Sequence, residues 1–309
     1  MKNQPGKLLR RLKLIFKGLS FRAYLFLLSL CFILLCGAFY IISAQSAWRE
    51  LGVERTELSE PVVLSHLKQL NLTKETGVQF AVLGDPRGGD NILAEQLNDA
   101  TRRGAKFAII LGDLVTTGSQ SHYLDLAERL EAAPLPILTI PGNHDVGHQG
   151  AYYYERLFGP LNYSFDLAGY HFIMLDNSKL KLTPGQLAWY ENQLTNPLPK
   201  LVFIHVPPAL VRRWAWHSFA NGADQFVALN EKYQPQVVFM SHIHAYDRMN
   251  FKGVVYIVSG GGGTQLTYNL GKKAAIYHYI LVKTGPRGVS QQVIRFSGPP
   301  TEQESAAGE

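Results

Sequence analysis

Apolar residues fall along this chain in three patterns. The first is an unbroken run, AYLFLLSLCFILLCGAFYIIS over 23–43, which is 21 residues without a charge. As a helix it would measure roughly 31 Å, close to the ~30 Å hydrocarbon core of a bilayer. It has no polar face of the kind a helix on a globular core keeps, so it predicts one transmembrane helix. The second pattern, over 44–76, is polar and mixed with a single apolar stretch around Val62–Leu70. It reads as a spacer or a short leading helix. The third begins at Val78, where short apolar runs alternate with helical spacing. Strands are predicted at Val78–Leu83, Phe107–Leu111, Pro136–Ile140, Leu201–Ile204 and Val237–Met240. Helices are predicted at Asn91–Arg103, Ser121–Ala132, Thr183–Leu194 and Asn221–Tyr233, the third with Thr183 as its N-cap and Pro184 in its first turn. Tyr163–Leu167 and Tyr170–Leu175 read as a hairpin. Val254–Val258, Ala275–Val282 and Val289–Phe296 are later strands, and 298–309 is a disordered polar tail. Alternating strands and helices followed by a strand-rich end predict an α/β domain over 77–297, with two packed sheets and helices outside.

Composition changes one part of this picture. The chain of 309 residues has 30 Lys+Arg against 24 Asp+Glu, a net charge of +6. Such a balance alone would suggest a nucleic-acid or anionic-membrane partner. Seven of the basic residues lie in the tail 1–22, which has no acidic residue, leaving 23 basic against 24 acidic elsewhere. The body is therefore near neutral, and no specific nucleic-acid partner is indicated. By the positive-inside rule the tail is cytoplasmic and the main domain extracytoplasmic, periplasmic or extracellular, on a single-pass signal anchor. A cleaved leader is the alternative, since Ser43-Ala44 and Ser46-Ala47 offer small residues to a protease. The two cysteines, Cys31 and Cys36, fall inside the apolar run, so a metal site in the main domain must use nitrogen and oxygen ligands.

The chemistry lies at the ends of the strands. Asp85, Asp113, Asn143-His144, His205 and His242/His244 each follow an apolar run. In open α/β sheets that edge is where ligands bind. One Asp after a strand is usually a turn former; five such corners with carboxylate, amide and imidazole groups are not explained that way. A carboxylate can bridge two cations, so six residues suffice for two metals.

The ordered series Gly84-Asp85-Pro86-Arg87, Gly112-Asp113, Gly142-Asn143-His144-Asp145, His205 and Ser241-His242-Ile243-His244 resembles the calcineurin-like metallophosphoesterases. Tyr246-Asp247-Arg248 and the Gly260–Gly263 run look like the purple acid phosphatase branch. The resemblance covers about 78–296 and implies a four-layer α/β/β/α sandwich. It also implies two divalent or trivalent ions (Mn, Fe or Zn), with Asp85 and His244 on the first metal, Asn143, His205 and His242 on the second, and Asp113 bridging. His144, oriented by Asp145, would contact the phosphate and protonate the leaving oxygen. The implied activity is hydrolysis of phosphate mono- or diesters by a two-metal-activated hydroxide; a degenerate domain that binds metal or phosphate without turnover is the alternative. Two departures stand out. Arg87 occupies the position where the family's D-x-H carries histidine, and an arginine cannot ligate a metal, so it is a candidate phosphate-binding residue. Thr116 stands where the purple enzymes carry a tyrosine ligand. Arg212, Arg213, Trp214, Trp216 and His217 read either as a substrate lid or as an amphipathic helix. The sequence leaves the oligomeric state open.

Overall fold

The computed structural model describes residues 21–50 and 56–297. The basic run over 1–20 and the polar tail over 298–309 lie outside the described residues. The chain divides into two units, Met1–Glu54 and Arg55–Glu309.

In the first unit the apolar run forms one long helix, α1 (Phe21–Glu50), ending well beyond residue 43. Its described side chains are Ala23, Leu25, Phe26 and residues 28–40, and most are exposed. Phe26, Phe32, Leu35 and Phe39 are each about 70% exposed. Among the described residues no helix is long and apolar enough to cross a membrane.

The second unit is built on two mixed sheets. The first holds β1 (Gln79–Leu83), β2 (Ala108–Ile110), β3 (Ile137–Thr139), β10 (Tyr277–Gly285) and β11 (Gly288–Phe296), in the order β11-β10-β1-β2-β3. The second holds β4 (Tyr163–Leu167), β5 (Tyr170–Leu175), β6 (Lys200–Ile204), β7 (Val237–Met240), β8 (Tyr246–Phe251) and β9 (Val254–Ser259), in the order β4-β5-β6-β7-β9-β8. In the first sheet β1, β2 and β3 run parallel. In the second, β5, β6, β7 and β9 do so. The β10–β11 hairpin forms one edge of the first sheet, and the β4–β5 and β8–β9 hairpins form the two edges of the second. Parallel strands must be linked by crossovers, which accounts for α3 (Asp90–Arg102) and α4 (Gln120–Glu131); α5 (Gly150–Leu157) instead lies on the connection from β3 in the first sheet to β4 in the second, and α6 (Pro184–Leu194) and α7 (Ala223–Tyr233) are again crossovers.

The alternation of side chains along each strand sorts the core into layers. Phe80, Phe107, Phe172, Phe203 and Phe239 lie between the sheets in one fully buried cluster. Phe80 and Phe107 stack at 4.9 Å, and Phe203 and Phe239 at 5.3 Å. The alternate residues Ile173, Val202, Ile204 and Val238 face the other way, onto Leu187, Tyr190 and Leu194 of α6 and Phe226 of α7. Thr183 caps α6 by accepting the Gln186 amide at 3.2 Å, with Gln186 completing a capping box.

Three elements depart from the sequence reading. The stretch before the domain contains α2 (Glu60–Gln69), whose Val63, Leu64 and Leu67 are buried in the inter-sheet core. It therefore belongs to the packing as well as preceding it. The short α5 was not foreseen, because it opens on Gly150 and holds three consecutive tyrosines. Nor was β8, an edge strand whose positions are all partly exposed and so give no clean alternation.

Candidate metal centre

Parallel strands end on the same side, and that geometry brings the corners together. Asp85 follows β1, Asp113 follows β2, Asn143 and His144 follow β3, His205 follows β6, and His242 and His244 follow β7. The backbone turns sharply there. Asp85, Asp113 and His242 have φ of 57°, 52° and 65°, left-handed values that cost a non-glycine residue ~1–3 kcal/mol each. This strain aims the side chains into the cleft instead of along the strands. Close packing of the corners explains two glycines. A Cβ on Gly142 would lie 2.2 Å from the Asp113 amide nitrogen, and one on Gly260 would lie 2.1 Å from the Ile243 carbonyl oxygen and 2.8 Å from Asp85 Oδ2.

Two three-residue clusters result, Asp113/His205/His242 and Asp85/Asp113/His244, each with ligand atoms within 4.8 Å of one another. Asp113 belongs to both. Its Oδ1 accepts the His144 amide at 3.0 Å and lies 3.3 Å from His205 Nε2, while its Oδ2 accepts Arg87 Nε at 3.3 Å. Asp85 accepts the His242 amide at 2.9 Å on Oδ2. Its Oδ1 is buried, has no hydrogen-bond partner, and sits 3.7 Å from His244 Nε2. Asn143 Oδ1 lies 3.2 Å from His205 Nε2.

The histidines are held as ligands by their other nitrogen. His205 Nδ1 donates to the Leu111 carbonyl at 2.6 Å, and His244 Nδ1 to the Gln265 carbonyl at 2.9 Å. That fixes a tautomer whose Nε2 carries a lone pair. Burial holds His205 neutral; burial, then neighbouring His205, pushes His242 down to about 3, and burial, then the Arg87 charge, pushes His244 down to about 4. Asp113 Oδ1, Asn143 Oδ1 and His205 Nε2 are thus three acceptors that converge with no proton between them. Asp85 Oδ1 and His244 Nε2 form a second such gap. Burial, then the Asp113 charge, pushes the Asp85 carboxyl up. Burial would also raise Asp113, but His205, the His144 amide and Arg87 outweigh it and hold that carboxyl low. Converging buried acceptors with one orphaned oxygen are what cations satisfy, so these residues fit a dinuclear centre.

The remaining site residues fall around this cluster. His144 donates from Nδ1 to the Thr116 carbonyl at 2.9 Å, which leaves Nε2 facing the cluster 3.9 Å from Asp113 Oδ2. Asp145 does not orient it. That carboxylate turns inward, fully buried, and accepts the Gly142 amide at 2.7 Å and the Val115 amide at 3.0 Å. It therefore ties the β3 corner to the β2 corner, and the orienting contact belongs to Thr116. Arg87-Gly88-Gly89 is a tight turn, closed by the Gly89 amide on the Pro86 carbonyl at 2.9 Å. The sequence reading assigned no role to Ser241 or Asn177. Ser241 Oγ donates to the same Leu111 carbonyl at 2.7 Å, and Asn177 clasps both backbone polar groups of Val206 at 2.8 and 2.9 Å. Together they brace the His205 loop; the only available signal was the position of Ser241 at a strand end.

Comparison with known proteins agrees with this geometry. The profile of the calcineurin-like phosphoesterases matches residues 78–246. The chain belongs to that family. Over 163 residues it is 31% identical to purple acid phosphatase 23 of Arabidopsis thaliana, covering 42% of this chain and 34% of that protein. Over 199 residues it is 26% identical to glycerophosphodiester phosphodiesterase GpdQ of Enterobacter lignolyticus (strain SCF1), covering 59% of this chain and 71% of that one. The match to the plant enzyme thus spans about a third of its length. The structure of a purple acid phosphatase from yellow lupin (Lupinus luteus) seeds superposes with a TM-score of 0.58 at 14% identity, covering 72% of this chain and 53% of that one. Calcineurin-like phosphoesterases and purple acid phosphatases use a dinuclear metal centre, and the Asp/His cluster here is compatible with one.

Proposed function

We propose that this member of the family hydrolyses phosphate mono- or diesters at the Asp/His cluster. The observation that carries the reading is the pair of ligand clusters sharing Asp113, with the Asp85 Oδ1 atom buried and unpartnered in the second. Asp85, His244 and Asp113 would hold one ion, and Asp113, Asn143, His205 and His242 the other. When bound, such ions act as Lewis acids on the phosphoryl group and provide a nucleophile at neutral pH. The chain's own residues do the rest. Arg87 presents a guanidinium beside the shared carboxylate, where it can also reach an equatorial phosphate oxygen. His144, its Nδ1–H given to the Thr116 carbonyl, would in its imidazolium form also carry a proton at Nε2, which passes to the leaving oxygen as its bond to phosphorus breaks and leaves the imidazole neutral.

The test is turnover by the purified full chain with Mn²⁺, Zn²⁺ or Fe²⁺ on generic mono- and diesters. Asp113→Asn should abolish turnover together with metal retention. His144→Ala should keep the metals and lose about 10²–10⁴-fold in kcat. Metal binding without turnover on any ester would favour a binding-only domain, a reading that the cationic Arg87 at Asp113 motivates.

The same proposal places the domain on the outer side of a membrane. The support is the uncharged run over 23–43 and the seven basic residues before it, together with the exposed Phe26, Phe32, Leu35 and Phe39 of α1. Protease digestion of intact cells should remove the phosphoesterase domain and spare the tail; protection of the domain would refute this topology.

A further inference from the structure

The turn between the β6 and β7 corners is unused by the reaction so far described, and so is Asp247 of the Tyr246-Asp247-Arg248 motif. The structure joins them. Arg212–His217 is a single 3₁₀ turn rather than an amphipathic helix. Arg213 grips Asp247 with two bonds, Nε at 2.5 Å and Nη2 at 3.1 Å, and Trp214 Nε1 donates to the same carboxylate at 2.7 Å. The Trp214 ring and Phe219 are buried in the outer core. The turn is therefore rigid, pinned on both flanks and through Asp247 to β8.

What it holds out is Trp216, 92% exposed. Leaving an indole in water forgoes most of the stabilisation its burial would bring, and here the exposure is imposed by well-anchored neighbours on either side. Its companion His217 points back, with its ring 6.2 Å from the His242 ring and its Nε2 3.1 Å from Asn269 Nδ2. Val211, Arg212, Arg213, Trp216, His217 and Asn269 line a cavity of about 620 Å³. One wall is thus in ring contact with the metal-binding cluster, and the other is an open aromatic face.

We infer that this cavity is the leaving-group subsite and that Trp216 stacks on a flat ring there. The preferred substrates are then phosphoesters of aryl or nucleoside alcohols, with the phosphorus at the metal cluster, the Arg212 charge nearby, and Asp247 as the positioning residue. The inference rests on the hydrolase reading above and deepens it.

Phenyl and cyclohexyl phosphate have similar bulk and differ in aromaticity, and their methyl diesters provide the same contrast. With the full chain, Trp216→Ala should lower the phenyl-to-cyclohexyl ratio of kcat/KM about tenfold, on the scale of an aromatic stacking contact, while Trp216→Phe retains it. Asp247→Asn should lower the same ratio through KM. An unchanged ratio in Trp216→Ala overturns the subsite even though the enzyme is active. If the wild type turns over no ester, the hydrolase reading fails by itself. Saturable quenching of tryptophan emission by phenyl phosphate, lost in Trp216→Phe, then supports the subsite, and absent quenching overturns it. Emission that responds to anionic vesicles and not to phenyl phosphate would also overturn it, in favour of membrane contact.

Discussion

Arg87 sits two residues past the first carboxylate and donates to Asp113 at 3.3 Å, with its side chain only 19% exposed. A cation fixed there opposes any ion entering between Asp85, Asp113 and His244, and it replaces a neutral ligand with a group that cannot coordinate. The two clusters should therefore fill unequally. Arg87→His removes the opposing charge and adds a donor. Calorimetric titration with Mn²⁺ should then show the weaker of two binding events tightened by about tenfold or more, the change that ~1.4 kcal/mol brings, with little change in the stronger. Two equally tight events in the natural chain would refute the asymmetry. Each residue that converges on the centre was legible as a polar position ending an apolar run. The partners that orient them were not. Thr116 reaches His144 through a backbone carbonyl, which no side-chain pattern encodes. The family resemblance implied that Asp145 orients His144, whereas the chain turns it the opposite way onto amides at two corners.

At the scale of elements, β1, β2 and β3 were readable because their apolar runs end at Gly-Asp or Pro-Gly corners, and β6 and β7 because theirs end at His205 and Ser241-His242. The strand order was not, because parallel pairing depends on contacts far apart in sequence. One such link is His278 on β10, fully buried. Its Nδ1 donates to the Ile276 carbonyl at 2.8 Å, and its Nε2 accepts from Ser259 Oγ, at the end of β9 in the other sheet, at 3.2 Å. Burial pushes this imidazole down to about 4. A depressed folded value means that the unfolded chain binds the proton first. The contribution is thus fully present above the ordinary value of ~6.5 and is lost as pH falls from there to about 4, amounting to some 3 kcal/mol. In urea unfolding, His278→Gln should have a flatter decline of stability between pH 6.5 and 4 than the natural chain. Equal slopes would mean that other groups carry the acid sensitivity.

On the scale of the whole molecule, the net charge of +6 divides between a basic leader and a nearly neutral body. The body, Arg55–Glu309, is a compact unit containing both sheets and all the converging residues. The other unit carries bare Phe26, Phe32, Leu35 and Phe39, each about 70% exposed. Burying such side chains is worth ~1.5–3 kcal/mol apiece, so in water α1 would seek lipid or another apolar surface. Attraction of the basic run to anionic headgroups would be screened by salt, but insertion of α1 would not. Under the proposed anchoring, the full chain should sediment with membranes through 1 M salt and leave them only with detergent. A chain starting at Arg55 should stay in the supernatant and keep the turnover per molecule of the detergent-solubilised full chain. Release of the full chain by salt alone would reduce α1 to a peripheral contact. A loss of turnover in the shorter chain that folding probes do not explain would mean that the leader completes the catalytic domain.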